Sequence, residues 1–247
     1  MDRLIYIAMN GAKSTLERQA VVSNNMANAS TTGYRAAVQA FRALPVVGPG
    51  APTRTFVVDS TPGWDTRAAP IVKTGRALDV AVRDEGWMVV MGRDLREAYT
   101  RAGDLQISRS GQLQTRDGLN VMGEGGPITI PPNTDVTIGS DGTVSTVPDD
   151  TTPNAVSIIG RIKLVNPAAR TLERSDDGLF RVKGGGPVLP DPNVKLEPGA
   201  LEGSNVSMVD SLVEMISNAR EYDLQVKLIQ TAETNSKQWG QIMNMAA

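Results

Sequence analysis

Residues 21–35 read VVSNNMANASTTGYR, a run holding three asparagines, two serines, two threonines and one glycine but no acid. The run follows about twenty residues of helical pattern. Over residues 3–29, apolar or small groups recur at Ile5, Ala8, Ala12, Leu16, Gln19, Val22 and Met26, in steps of three and four. Such steps describe a helix that packs one narrow seam against another helix. Asn28, Ser30, Thr31 and Thr32 compete for backbone hydrogen bonds, and Gly33 can adopt the left-handed conformation that closes a helix. Asn24, Asn25 and Asn28 sit on its last turns, either as a solvated face or as hydrogen-bonding groups for another helix.

The far end repeats the pattern. Ser207 and Asp210 have the S-x-x-D spacing of a capping box. A stripe then runs through Leu212, Ile216, Ala219, Tyr222, Val226, Ile229, Glu233, Ser236 and Met243, with Gly240 as the sole glycine or proline from residue 208 to 244. This predicts a rod of roughly 55 Å. Both seams are weak, rich in Ala, Ser, Asn and Thr, so each helix alone is marginal in water. Helices of this kind are stabilised when copies or relatives pack their ends together, which points to an assembly subunit.

Between the helices the texture is different. Prolines 45, 49, 52, 62 and 70 and glycines 48, 50 and 63 forbid a continuous helix over residues 38–73 and suggest an extended arm, with FVV and IVK as short extended pieces at most. From residue 75 to about 201 the period is two. Leu78, Val80 and Val82 alternate with small or polar residues, and Asp84-Glu85-Gly86 then turns the chain into Trp87, Val89 and Met91, a hairpin signature. Ser110-Gly111, Asp117-Gly118, Asp141-Gly142 and Asp177-Gly178 mark further turns. Short strands at turn spacing without helices between them predict an antiparallel β domain. The expected fold class is α+β: long N- and C-terminal helices in a coiled-coil-like pair, with an inserted antiparallel all-β domain. The expected domains are residues 1–34 with 202–247, an arm at 35–74, and a β body at 75–201.

Composition narrows the function classes. Charge is nearly balanced, with 25 Lys+Arg against 27 Asp+Glu and no like-charge block, so no nucleic-acid footprint is present. Aromatic residues make up only 4 %, which argues against stacking platforms for bases or sugars. The absence of cysteine and histidine removes disulfides, Cys/His zinc sites, thiol nucleophiles and His-based triads. The start of the sequence suggests no cleaved leader, and no segment has the apolar length of a membrane span. The glycines at 123, 125 and 126 fit no dinucleotide fingerprint, and Gly184-Gly185-Gly186-Pro187 reads as a flexible turn. Asp149-Asp150 and Asp176-Asp177 read as solvated turns. Carboxylate pairs for glycan hydrolysis are not excluded by spacing, but a sugar cleft would need aromatic walls. No catalytic, metal-binding or cofactor-binding residue is singled out.

Residues 23–35, SNNMANASTTGYR, resemble the N-terminal signature of the bacterial flagellar rod and hook proteins, through Asn24, Asn25, Met26, Ala27, Asn28, Thr32, Gly33, Tyr34 and Arg35. The stretch LEGSNVSMVDSLVEMISNAREYDLQVKLIQTAE is similar to the family's C-terminal motif, with Leu201, Glu202, Ser204, Asn205, Val206, Met215, Ile216, Arg220, Tyr222 and Lys227 in place. TGRALDVAVRDEGWMVV and YTRAGDLQISRSGQLQTRDGLNVMG look like its first β-domain segments. The resemblance implies a non-enzymatic axial subunit, most similar to the proximal-rod member, with a distal-rod or other axial protein as the alternative. A secreted enzyme acting on cell-wall glycan is the remote alternative. It further implies export through the flagellar type III apparatus without cleavage, a place in the rod crossing the periplasm, and terminal helices forming an inner layer around a channel. Expected partners are copies of itself and related proximal- and distal-rod subunits, with no nucleic acid, membrane insertion, cofactor or small-molecule substrate. The expected assembly interface comprises Ile5, Ala12, Leu16, Val22, Asn24, Asn25, Met26 and Asn28 on the first helix. On the last helix it comprises Leu212, Ile216, Ala219, Tyr222, Val226 and Ile229.

Overall fold

A computed structural model describes residues 4–45, 55–148 and 156–245. Pro49, Pro52 and Asp149-Asp150 lie outside the described residues. The fold is α+β, with helices at both ends of the chain and an antiparallel β region between them. It divides into two units: residues 1–29, 36–65 and 206–247 form one, and residues 30–35 with 66–205 form the other.

In the helical unit, α1 (Leu4–Ala27) packs along α2 (Met208–Met245), a helix of 38 residues. Arg18 Nη1 reaches Glu221 Oε2 at 3.0 Å, and Gly11 lies against the Gln225 side chain, so the two helices run antiparallel. The Ser207 cap forms as its spacing predicts, with Ser207 Oγ accepting the Asp210 N–H at 3.3 Å. The segment read as an arm is a hairpin of β1 (Ala37–Pro45) and β2 (Thr55–Trp64) packed on α1. Asn10 Oδ1 accepts the Val57 N–H at 2.8 Å, and the Arg18 guanidinium sits 5.1 Å from the Phe41 ring centroid.

Among the described residues of the β unit every strand pairing is antiparallel. The short strands β3 (Ile71–Lys73) and β4 (Val80–Val82) pair with Ala200–Glu202 and Leu196–Pro198, so incoming and outgoing chain lie side by side. Next come β5 (Trp87–Met91) and β6 (Glu97–Thr100), central members of a five-strand sheet completed by Leu164–Val165, Phe180–Val182 and Leu172–Arg174. Turns at Gly111, Gly118, Gly142 and Gly178 all take positive φ, as the Ser-Gly and Asp-Gly pairs predict.

The hairpin read across Asp84-Glu85-Gly86 is corrected. The turn exists, but β4 pairs with Leu196–Pro198 while β5 pairs with β6. Two features explain the difference. Ala81 is as buried as Val80 and Val82, so β4 is wedged between apolar layers on both faces. The turn carbonyls are taken up by a side chain: Arg101 donates to Gly86 O at 2.9 Å and to Asp84 O.

Candidate functional site: the helix faces and a buried clasp

The seam between α1 and α2 leaves several of the largest apolar side chains outside. On α1 it passes through Ala8, Ala12, Thr15 and Val22, while Leu16 is 53 % exposed. Thr15 tolerates burial because its hydroxyl donates to Gly11 O at 3.0 Å, inside its own helix. On α2 the buried positions are Ser211, Asn218 and Ala232, with Met215, Tyr222, Gln225, Val226 and Ile229 half-buried. Leu212, Ile216 and Ala219 face outward. Met208, Val209, Leu212, Val213 and Ile216, between 44 and 70 % exposed, form a continuous apolar face over the first turns of α2, opposite Ser211, Met215 and Asn218. Ile5 and Met26 are half-buried on α1, and Asn24 is exposed.

Asn25 and Asn28 act within the chain. Asn25 makes a two-way amide pair with Ala37, its Nδ2 donating to Ala37 O at 2.9 Å and its Oδ1 accepting the Ala37 N–H at 2.8 Å. This ties the last turn of α1 to the first residue of β1. Asn28 Nδ2 donates to Asn24 O at 2.9 Å, satisfying a carbonyl that the helix end leaves open. Helix α1 stops at Ala27, six residues before Gly33, so Gly33 does not close it.

Gly33 instead begins a buried clasp in the β unit. Its φ is +69°, and a Cβ there would fall 2.3 Å from the Arg101 carbonyl carbon, so only glycine fits. Its N–H donates to Glu202 O at 2.8 Å. Tyr34 is buried with the Arg174 guanidinium 4.5 Å from its ring centroid. Arg35 donates to Glu202 Oε1 at 2.6 Å and to Arg67 O at 2.8 Å.

The same carboxylate accepts Arg101 Nη1 at 2.9 and 3.0 Å and the Ala69 N–H at 3.1 Å. Arg35, Arg101 and Glu202 are 1–3 % exposed. Burial pulls the Arg101 pKa below the ordinary guanidinium value, and Glu202 opposes that shift. Two cations and one backbone donor thus converge on one carboxylate, joining the incoming segment 33–35, the outgoing strand and the body. Removing one partner of such a group leaves uncompensated buried charge. Sequence reading matched Arg35 and Glu202 to separate motifs and missed that they meet. The available signal was opposite charge at two distant motifs, with Glu202 on the same strand face as Ala200.

Among the described residues no group of acids could hold a metal ion, and no helix is long and apolar enough to cross a membrane. The glycine run at 184–186 borders an open cavity of about 500 Å³ together with Arg96, Glu97, Tyr99 and Arg181. Arg181 is already paired with Asp177 at 2.7 Å and Asp94 at 3.3 Å.

The helix signature, the β segments and the outgoing strand correspond to three family profiles. "Flagella basal body rod protein" matches residues 5–35, "Flagellar hook protein FlgE/F/G D1 domain" matches 81–146, and "Flagellar basal body rod FlgEFG protein C-terminal" matches 197–241. The chain belongs to the flagellar basal-body rod protein family. It is 44 % identical to the flagellar basal-body rod protein FlgF of Salmonella typhimurium and 43 % identical to that of Escherichia coli, over 100 % of each chain. Against the rod protein FlgG of Buchnera aphidicola (Schizaphis graminum) identity is 30 %, over 93 % of this chain and 95 % of that one. The likeness to FlgF agrees with the expectation of a flagellar axial subunit drawn from both terminal motifs.

Proposed function

We propose that this chain is a non-enzymatic axial subunit of the proximal rod, polymerising through its terminal helices into a hollow, torque-transmitting shaft between rotor and hook. The observation that carries the reading is the second apolar face of α2. A helix already packed against α1 has no need of Val209, Val213 and Ile216 on its far side unless another helix covers them. In the polymer, α1 and α2 join neighbouring pairs in a coiled-coil inner layer and the β unit lies outside it. Export without cleavage through the type III apparatus and a site crossing the periplasm follow from the same reading.

Partial trypsin digestion of the dilute chain and of the assembled rod tests it. Cleavage in the dilute chain is expected first at Lys13, Arg220, Lys227 and Lys237, with the β unit surviving and assembly suppressing the cuts. Termini equally resistant in both states would overturn the reading.

A further inference from the structure

The seam between α1 and α2 contains a polar layer that neither helix requires for its own folding. Gly11 against Gln225 and Arg18 against Glu221 set the antiparallel alignment. Stepping from these contacts by threes and fours brings Gln19 opposite Asn218, with Val22·Met215 and Thr15·Tyr222 on either side. Asn218 is 2 % exposed. Its Nδ2 and the Oε1 of Gln19 are both buried without a hydrogen-bond partner. The alignment thus sets an orphaned donor on one helix opposite an orphaned acceptor on the other.

We propose that Gln19 and Asn218 form a register-setting layer, joined by an Asn218 Nδ2–H to Gln19 Oε1 hydrogen bond that side-chain rotation closes. Outside this layer only the Gly11·Gln225 contact and the half-exposed Arg18·Glu221 pair distinguish one register from another. Ala8, Ala12, Val22 and Ala232 are small and apolar and pack comparably after a seven-residue slip. Such a slip sets Asn218 against Ala12 or Met26, neither of which offers an oxygen, so the buried amide is left unsatisfied. The layer lowers the stability of the pair and fixes its alignment, the best-attested use of a buried polar residue between helices. It acts within one chain and holds whether or not the chain polymerises.

The chain has no cysteine, so introduced disulfides report alignment cleanly. Ala8→Cys/Ile229→Cys links residues that share a layer in the observed register. Ala8→Cys/Tyr222→Cys links residues about 10 Å apart along the axis, beyond disulfide reach. With Gln19 and Asn218 present, only the first pair should oxidise to an intramolecular crosslink. Adding Gln19→Leu/Asn218→Leu should raise crosslinking of the second pair at least fivefold, while the helical circular dichroism melts at a higher temperature. Crosslinking of the second pair that stays at background would overturn the proposal. A double-leucine chain that loses helicity and forms neither crosslink would overturn it as well, because an apolar layer is expected to strengthen the pair.

Discussion

The β unit buries Val80, Met88, Val90, Leu105, Leu113 and Leu196 completely, whereas the seam of α1 and α2 buries Ala8, Ala12, Thr15, Ser211, Asn218 and Ala232. One interior is made of branched and long apolar side chains, the other, apart from Val22, of small and polar ones. Burial of a Val or Leu side chain contributes about 1.5–3 kcal/mol, and an alanine methyl contributes much less. Many large apolar residues of α2, among them Val209, Leu212, Val213, Ile216, Leu224 and Leu228, lie on the outside. The comparison teaches that one unit is complete within its own chain, while the other leaves its best apolar surface uncovered.

The largest expected effect breaks the β side of this contrast. Gly33→Ala forces a Cβ into the Arg101 backbone at positive φ, and should cost the β unit about 3 kcal/mol or more. The measurement is the urea midpoint followed by Trp87 fluorescence in a Trp64→Phe/Trp239→Phe background, and an unchanged midpoint would show that segment 33–35 is not part of the body. Glu202→Gln should cost about 3 kcal/mol in the same assay, by leaving Arg35 and Arg101 buried against a neutral amide. Asn25→Ala should act only on the helical unit. Loss of its two bonds to Ala37, about 1–2 kcal/mol, should speed amide exchange in β1 and leave β5 protected.

The smallest expected effect is a pH dependence. Hydrogen bonds from the Thr143 hydroxyl and N–H hold the Asp141 carboxyl below its ordinary 3.8. A depressed folded pKa contributes stability that is present above 3.8 and is lost as pH falls through the folded value. Asp141→Asn should therefore lower the melting temperature of the β unit slightly at pH 6, and the difference from wild type should shrink below pH 3.8. A difference independent of pH would show that the turn does not depend on that charge.

Much of this contrast was legible in the residues. Asp-Gly and Ser-Gly pairs announced the turns, and the three-four spacing announced both helices to within two residues at each end. The stripe was right at Ala8, Ala12, Val22, Tyr222, Val226 and Ile229 and wrong at Leu16, Leu212 and Ile216, where sequence reading had no reason to prefer Thr15, Ser211 and Met215. Only the structure reveals that Thr15 buries its hydroxyl by bonding Gly11 O. The clasp was illegible for a different reason. Arg35 and Glu202 are 167 residues apart, and neither local pattern records that Arg101 joins them. The β4–β5 hairpin failed similarly, since a side chain from elsewhere holds the turn that hairpin pairing would otherwise hold.

Amide hydrogen exchange on the dilute chain and on the assembled rod, compared at the same pH and temperature, tests the incompleteness of the helical unit most directly. The expectation is that amides over residues 212–230 exchange orders of magnitude faster than those of Met88, Val89 and Val90 in the dilute chain, and become protected on assembly. Helical amides as slow as the β core in the dilute chain, and unchanged in the rod, would contradict it.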